Sequence, residues 1–122
     1  MSGRTIRVVR VYDAVSEADG DRVLVDRIWP RGVGKDQLEA ATWLKDVAPS
    51  TELRTWYGHD PAKFTEFEQR YRDELAGAAG LAALDRLRAH GSRPTLTLLT
   101  ATKDVEHSHA VILAGLLRDG DR

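Results

Sequence analysis

Apolar and polar residues change their period several times along this chain, and the changes mark its elements. Ile6 to Tyr12 is rich in valine and bounded by polar residues, which predicts a first strand. Its alternation slips between Val8 and Val9, as expected of a bulge or of burial on both faces. Arg22 to Arg27 contains Val23-Leu24-Val25, three branched apolar residues in a row, and predicts a central strand covered on both sides after a turn at Glu17-Ala18-Asp19-Gly20-Asp21. Pro30 and Gly32 end it. Asp36 to Ala41 reads as a short helix leading into a strand at Thr42 to Lys45, which stops at Ala48-Pro49-Ser50.

The second half is more helical. Asp60-Pro61 predicts a helix start, because the Asp side chain caps free backbone N–H groups while Pro occupies a first-turn position that needs none. Phe64, Phe67, Tyr71 and Leu75 follow at helical spacing as one apolar stripe. Gly77 and Gly80 interrupt the pattern before Leu81, Leu84 and Leu87 resume it, and Gly91 with Pro94 closes that helix. Thr95 to Ala101 predicts the last strand. Asp104 is then the expected cap of a final helix striped by Ile112, Leu113, Leu116 and Leu117. Strands separated by helical segments favour a small three-layer α/β domain, with a mostly parallel sheet and helices on both faces. Residues 1–122 are expected to form a single domain, since 122 residues suit one core.

Composition narrows the functions. Eighteen Lys and Arg against nineteen Asp and Glu leave a formal charge of -1, so no whole-molecule field draws the chain to nucleic acid or an anionic membrane. With no cysteine it has no disulfide, thiolate metal site or cysteine nucleophile. No apolar run approaches the ~20 residues of a membrane span, and Met1-Ser2-Gly3-Arg4 does not open a signal peptide, so a cytoplasmic location is the expectation.

Candidate chemistry gathers in loops. In a parallel sheet, ligands bind just outside the carboxyl ends of the strands. Tyr12, the segment Asp26 to Arg31, the segment Lys45 to Ser50 and the segment Lys103 to His109 are all expected there. Arg27 and Arg31 suit bidentate contact with an oxyanion, though Asp26 and Arg27 equally suit structural ion pairs at a strand end. Lys103-Asp104 with His107 and His109 falls at the predicted N-terminus of the last helix, where the dipole favours an anion and keeps His107 neutral. Arg54 and His59 are candidates for a lid. Trp56 and Tyr57 read better as anchors of a short helix. Trp29 is either packed or a stacking platform beside Arg27. Ser50 is the best-placed hydroxyl, but no Gly-x-Ser-x-Gly elbow surrounds it. Asp26, Asp104 and Glu106 are the acids available for acid–base work. No phosphate-binding glycine pattern or Walker pattern is present.

Together, Val25-Asp26-Arg27-Ile28-Trp29-Pro30-Arg31-Gly32, Trp43-Leu44-Lys45 with Ala48-Pro49-Ser50, Leu53-Arg54 with Trp56 and Gly58-His59-Asp60, and Lys103-Asp104 with His107 and His109-Ala110 resemble the YeaO-like branch of the domain-of-unknown-function 488 family. These are small bacterial proteins without an established activity. The resemblance spans nearly the whole chain. It implies an α/β fold and a shared site with Asp26, Arg27, Trp29, Arg31, Lys45, Ser50, Arg54, His59, Lys103, Asp104, His107 and His109 as site or supporting positions. More distant members carry a Cys-His-Arg signature near the last helix. The similar region here is His107-Ser108-His109, so their thiol chemistry is not implied.

Three functional readings follow. The leading expectation is a pocket for a small anionic ligand, phosphate- or nucleotide-like, with His59, His107 and Asp26 as catalytic candidates and Arg27, Trp29, Arg31, Lys45, Ser50, Arg54, Lys103, Asp104 and His109 as ligand-binding ones. The second is a metal-dependent hydrolase using His59, His107 and His109. The third is a non-enzymatic regulatory or partner-binding module, whose tryptophans and arginines form an interface. The sequence names no cofactor and leaves the oligomeric state open.

Overall fold

The computed structural model describes residues 4–13, 17–38 and 41–119. Four strands, β1 (Thr5–Arg10), β2 (Asp21–Leu24), β3 (Ala41–Trp43) and β4 (Thr95–Thr100), form one sheet in the order β1-β4-β2-β3, with every pairing parallel. The last strand therefore enters between the first two. Four α-helices, α1 (Thr51–Tyr57), α2 (Phe64–Ala76), α3 (Ala78–Ala89) and α4 (His109–Asp119), flank the sheet, with short 3-10 turns between elements. No helix among the described residues is long and apolar enough to cross a membrane.

Alternation along the strands builds two cores. Ile6, Val23, Leu96 and Leu98 face the α-helices and pack with Tyr71, Leu87 and Leu113. Leu24 and Leu99 face the other way, against Leu38 from the 3-10 turn Lys35–Leu38 and against Trp29 and Val33. Val8 packs against the first cluster and Val9 against the second, so the slip in the β1 pattern is burial on both faces. The expected helix at 36–41 is that 3-10 turn; residues 39 and 40 lie outside the described ones.

Three boundaries differ from the sequence pattern. β2 stops at Leu24, yet Val25 is buried and its N–H still donates to Leu99 O at 3.1 Å, so the chain leaves the sheet only at Asp26. β3 ends at Trp43, and Lys45 belongs to the 3-10 turn Lys45–Val47. Asp104 does not cap the last helix, because the 3-10 turn Val105–His107 and an extended Ser108 intervene before α4 begins at His109. Asp60 does cap, accepting from Ala62 N–H at 3.0 Å, but the turn it caps is Pro61–Lys63, from which α2 continues.

Gly80 lies inside α3 rather than breaking it. A Cβ there would overlap the Glu74 carbonyl and Leu75 Cα, so the missing side chain lets the start of α3 cross the end of α2. That crossing turns Leu81 out to solvent and Ala83 inward, against the predicted stripe.

Candidate functional site

The strand ends open onto a cleft of about 830 Å³. Its walls come from Tyr12, the Asp26–Arg31 loop, Ala48-Pro49, the end of α1 with Gly58-His59, and the segment from Ala101 to His109. The candidate positions named from sequence line this cleft, except Lys45, Ser50 and the acid Glu106.

Asp26 is the fastening at its floor. One carboxylate oxygen accepts from the Thr100 hydroxyl at 2.8 Å and the other from Ala101 N–H at 2.8 Å. His109 Nε2 stands 3.3 Å from the first oxygen and 2.9 Å from Val25 O. Both neighbours of that nitrogen are acceptors, so it must carry the proton, and the same atom cannot also serve as a base. Burial pushes the His109 pKa below the usual histidine range, with Asp26 and the Val25 carbonyl pulling the other way. Arg27 leaves the strand end in another direction. Its Nε donates to Pro49 O at 3.0 Å and its Nη2 to Ala48 O at 3.1 Å, so it clamps the loop before α1.

The opposite wall is equally committed. His107 lies in the 3-10 turn, not in the first turn of α4, and its Nδ1 is 2.7 Å from Asp104 Oδ2. Its ring stands edge-on to Phe64, and its backbone carbonyl accepts from the Tyr57 hydroxyl at 2.7 Å. Burial, with Asp104 and Asp60 nearby, raises the Tyr57 pKa and keeps the phenol a donor. Ser108, in the region where distant relatives have a cysteine signature, is buried and donates its hydroxyl to Val105 O at 2.7 Å. It is not presented as a nucleophile.

Ser50 and Lys45 do other work. Ser50 caps α1 by accepting from Leu53 N–H at 3.1 Å and donates its hydroxyl to Glu74 Oε2 at 2.5 Å. Lys45 lies over the Trp43 ring. The tryptophans are packing groups: Trp29 donates to Val33 O at 2.7 Å and meets Trp43 edge-on, and Trp56 carries Lys63 and Arg70 on its ring. A packed Trp29 is one of the two alternatives the sequence left open.

Against this committed floor, the rim is open. The side chains of Arg31, Arg54, Lys103 and His59 are exposed or at the lip, with no hydrogen bond or ion pair to any described residue. His59 has φ 57 directly after the left-handed Gly58, an uncommon conformation for a non-glycine residue, and it sits at the cleft mouth. The lining also holds Tyr12, 49% exposed and expected at this edge, and Ile28, 59% exposed, which the sequence did not single out as a candidate. The signal for Ile28 was available, as an apolar side chain in a polar loop beyond a strand end.

The chain matches the family described as "Inactive DUF488-N3 subclade" over residues 5–120, and it belongs to that family. It is similar to the uncharacterized protein Rv3073c of Mycobacterium tuberculosis, 52% identical over 112 residues that cover 92% of each chain. An uncharacterized Mycobacterium bovis protein, Mb3100c, matches to the same extent. The uncharacterized protein YeaO of Escherichia coli is 39% identical over 113 residues, covering 93% of this chain and 96% of its own. No solved structure matches the chain.

These findings correct the leading functional expectation. The inactive description, together with the absence among the described residues of any group of three or more His, Cys, Asp or Glu side chains able to hold a metal, argues against catalysis. The physical reasons are local. Asp26 spends its carboxylate oxygens on Thr100 and Ala101, and His109 spends its Nε2 on Val25 O and Asp26. The enzyme-like pocket for a small anionic ligand, with His59, His107 or Asp26 in acid–base roles, is overturned. So is the metal-dependent hydrolase built on His59, His107 and His109. A non-enzymatic partner-binding module fits better.

Proposed function

We propose that this protein is a non-catalytic recognition module that docks a segment of a partner protein in the cleft at the strand ends. One contrast carries the reading: Asp26, Arg27, Asp104 and His109 are bonded internally, while the side chains of Arg31, Arg54, Lys103 and Ile28 line the cleft with no polar partner among the described residues. A catalytic site keeps its acid–base groups poised for a substrate. A docking site keeps them locked, because a rigid floor lowers the ordering cost of association. Arginine and exposed apolar side chains around a desolvated centre are the composition of interface hot spots.

The size of the cleft supports a segment rather than a folded face. Pockets of about 300–1,000 Å³ enclose drug-sized ligands, and this one, at about 830 Å³, has room for a few side chains of a segment but not for a folded face. Co-purification compares the wild-type protein with the Arg31→Glu/Arg54→Glu double variant and with Arg86→Glu, whose side chain lies outside the cleft. The reading predicts a stoichiometric protein partner held by the wild type and by Arg86→Glu and lost from the double variant. A partner retained equally by all three, or no partner at all, overturns it.

A further inference from the structure

Resting on that reading, we infer that the segment the cleft takes is an acidic stretch of extended chain with an apolar residue at its centre. The argument begins with charge. Asp26 and Asp104 are the acids lining the cleft, and both are engaged: the first by Thr100 and Ala101, the second by His107. Around them stand Arg31, Arg54 and Lys103, whose side chains have no hydrogen bond or ion pair among the described residues, beside the loop-clamping Arg27. The lining therefore carries surplus positive charge on a chain whose formal charge is -1. A surplus that local is a recognition feature, since the molecule as a whole exerts no cationic pull.

Placement selects the kind of anion. Arg31 comes from the loop after β2, Arg54 from α1 and Lys103 from the segment after β4, so the cations reach the lining from three different segments of the chain. A single phosphate is held by donors that converge on one point, often backbone N–H groups of a glycine-rich turn. Cations distributed around a mouth suit carboxylates spaced along a peptide. Between them the lining also holds an apolar patch, Ala48, Pro49 and Phe67, with the exposed Ile28 beside it. It accepts one hydrophobic side chain while the flanking carboxylates reach the rim. The exposed cations would steer encounter and fix register, and the apolar anchor would supply the desolvated contact.

Fluorescence anisotropy with the full chain tests this, using a short labelled peptide in which glutamates flank a central leucine. Two comparison peptides replace the glutamates with glutamine or the leucine with serine. The expected result is saturable binding of the acidic peptide, weakened about tenfold or more by either replacement and by Arg54→Glu/Lys103→Glu, and weakened by added salt. Arg86→Glu should bind as the wild type does. Equal binding of the glutamate and glutamine peptides, or displacement of the acidic peptide by millimolar inorganic phosphate alone, overturns the inference. Its failure is separable from failure of the docking reading. A cleft-dependent protein partner whose contact segment is neutral or basic leaves that reading standing and sinks this one. Absence of any cleft-dependent partner sinks both.

Discussion

The Asp26 carboxylate holds the Thr100 hydroxyl at 2.8 Å, and this bond ties the end of β2 to the end of β4 across 74 positions of sequence. The second oxygen takes Ala101 N–H, so one side chain closes the floor of the cleft. Asp26→Ala would leave the largely buried Thr100 and Ala101 donors without their acceptor. It should cost about 2 kcal/mol or more of stability, measured by urea denaturation. An unchanged midpoint would remove Asp26 from its fastening role.

His109 gives the fold a dependence on pH. Its pKa is depressed in the folded state, chiefly by burial, so below the unfolded value of about 6.5 the unfolded chain binds more protons than the folded one. The stability it contributes is fully present above that value and is lost as pH falls toward the depressed folded value. The variant His109→Leu should show a shallower fall of melting temperature across that acidic window than the wild type. Identical slopes would contradict the assignment.

Much of this was legible in the sequence. Phe67, Tyr71 and Leu75 repeat at helical spacing because one face of α2 meets the core, and Val23-Leu24-Val25 is unbroken because both faces of the sheet are covered. The loops that line the cleft were legible too, since a parallel sheet sends its strand ends to one side. What each side chain does there was not. Asp104 precedes an apolar stripe as a cap would, but nothing in the spacing shows the extra 3-10 turn that hands it to His107. Ser50 read as a loose hydroxyl because its partner, Glu74, is 24 positions away. The strand order, with β4 inserted between β1 and β2, is likewise a long-range fact without a local signal.

Ser50 caps α1 and lies outside the cleft lining. Ser50→Ala should destabilise the protein by about 1 kcal/mol or somewhat more, because it loses both the bond from Leu53 N–H and the bond to Glu74. Binding of the acidic peptide should not change. A stable variant with weakened binding would return Ser50 to the cleft.

Gly91 has φ 69, and a Cβ there would overlap the Asp21 carboxylate, which is pinned by Arg4 at 2.6 Å and by Arg93 N–H at 2.9 Å. Gly91→Ala combines left-handed strain with displacement of that carboxylate, and should cost about 2 kcal/mol or more in thermal or chemical denaturation. Combined with Asp21→Ala, the loss should be smaller than the sum of the two single losses, because one contact is shared. Strict additivity would show that the two sites are independent.

The docking claim is tested most directly by a photo-crosslinking amino acid at Ile28, on the cleft rim, and by the same group at Leu81, an exposed apolar position on α3, with irradiation of growing cells. The prediction is one discrete protein adduct from position 28, none from position 81, and loss of the adduct when Arg54→Glu and Lys103→Glu are added. Adducts of equal yield and pattern from both positions, or none from position 28, would contradict it.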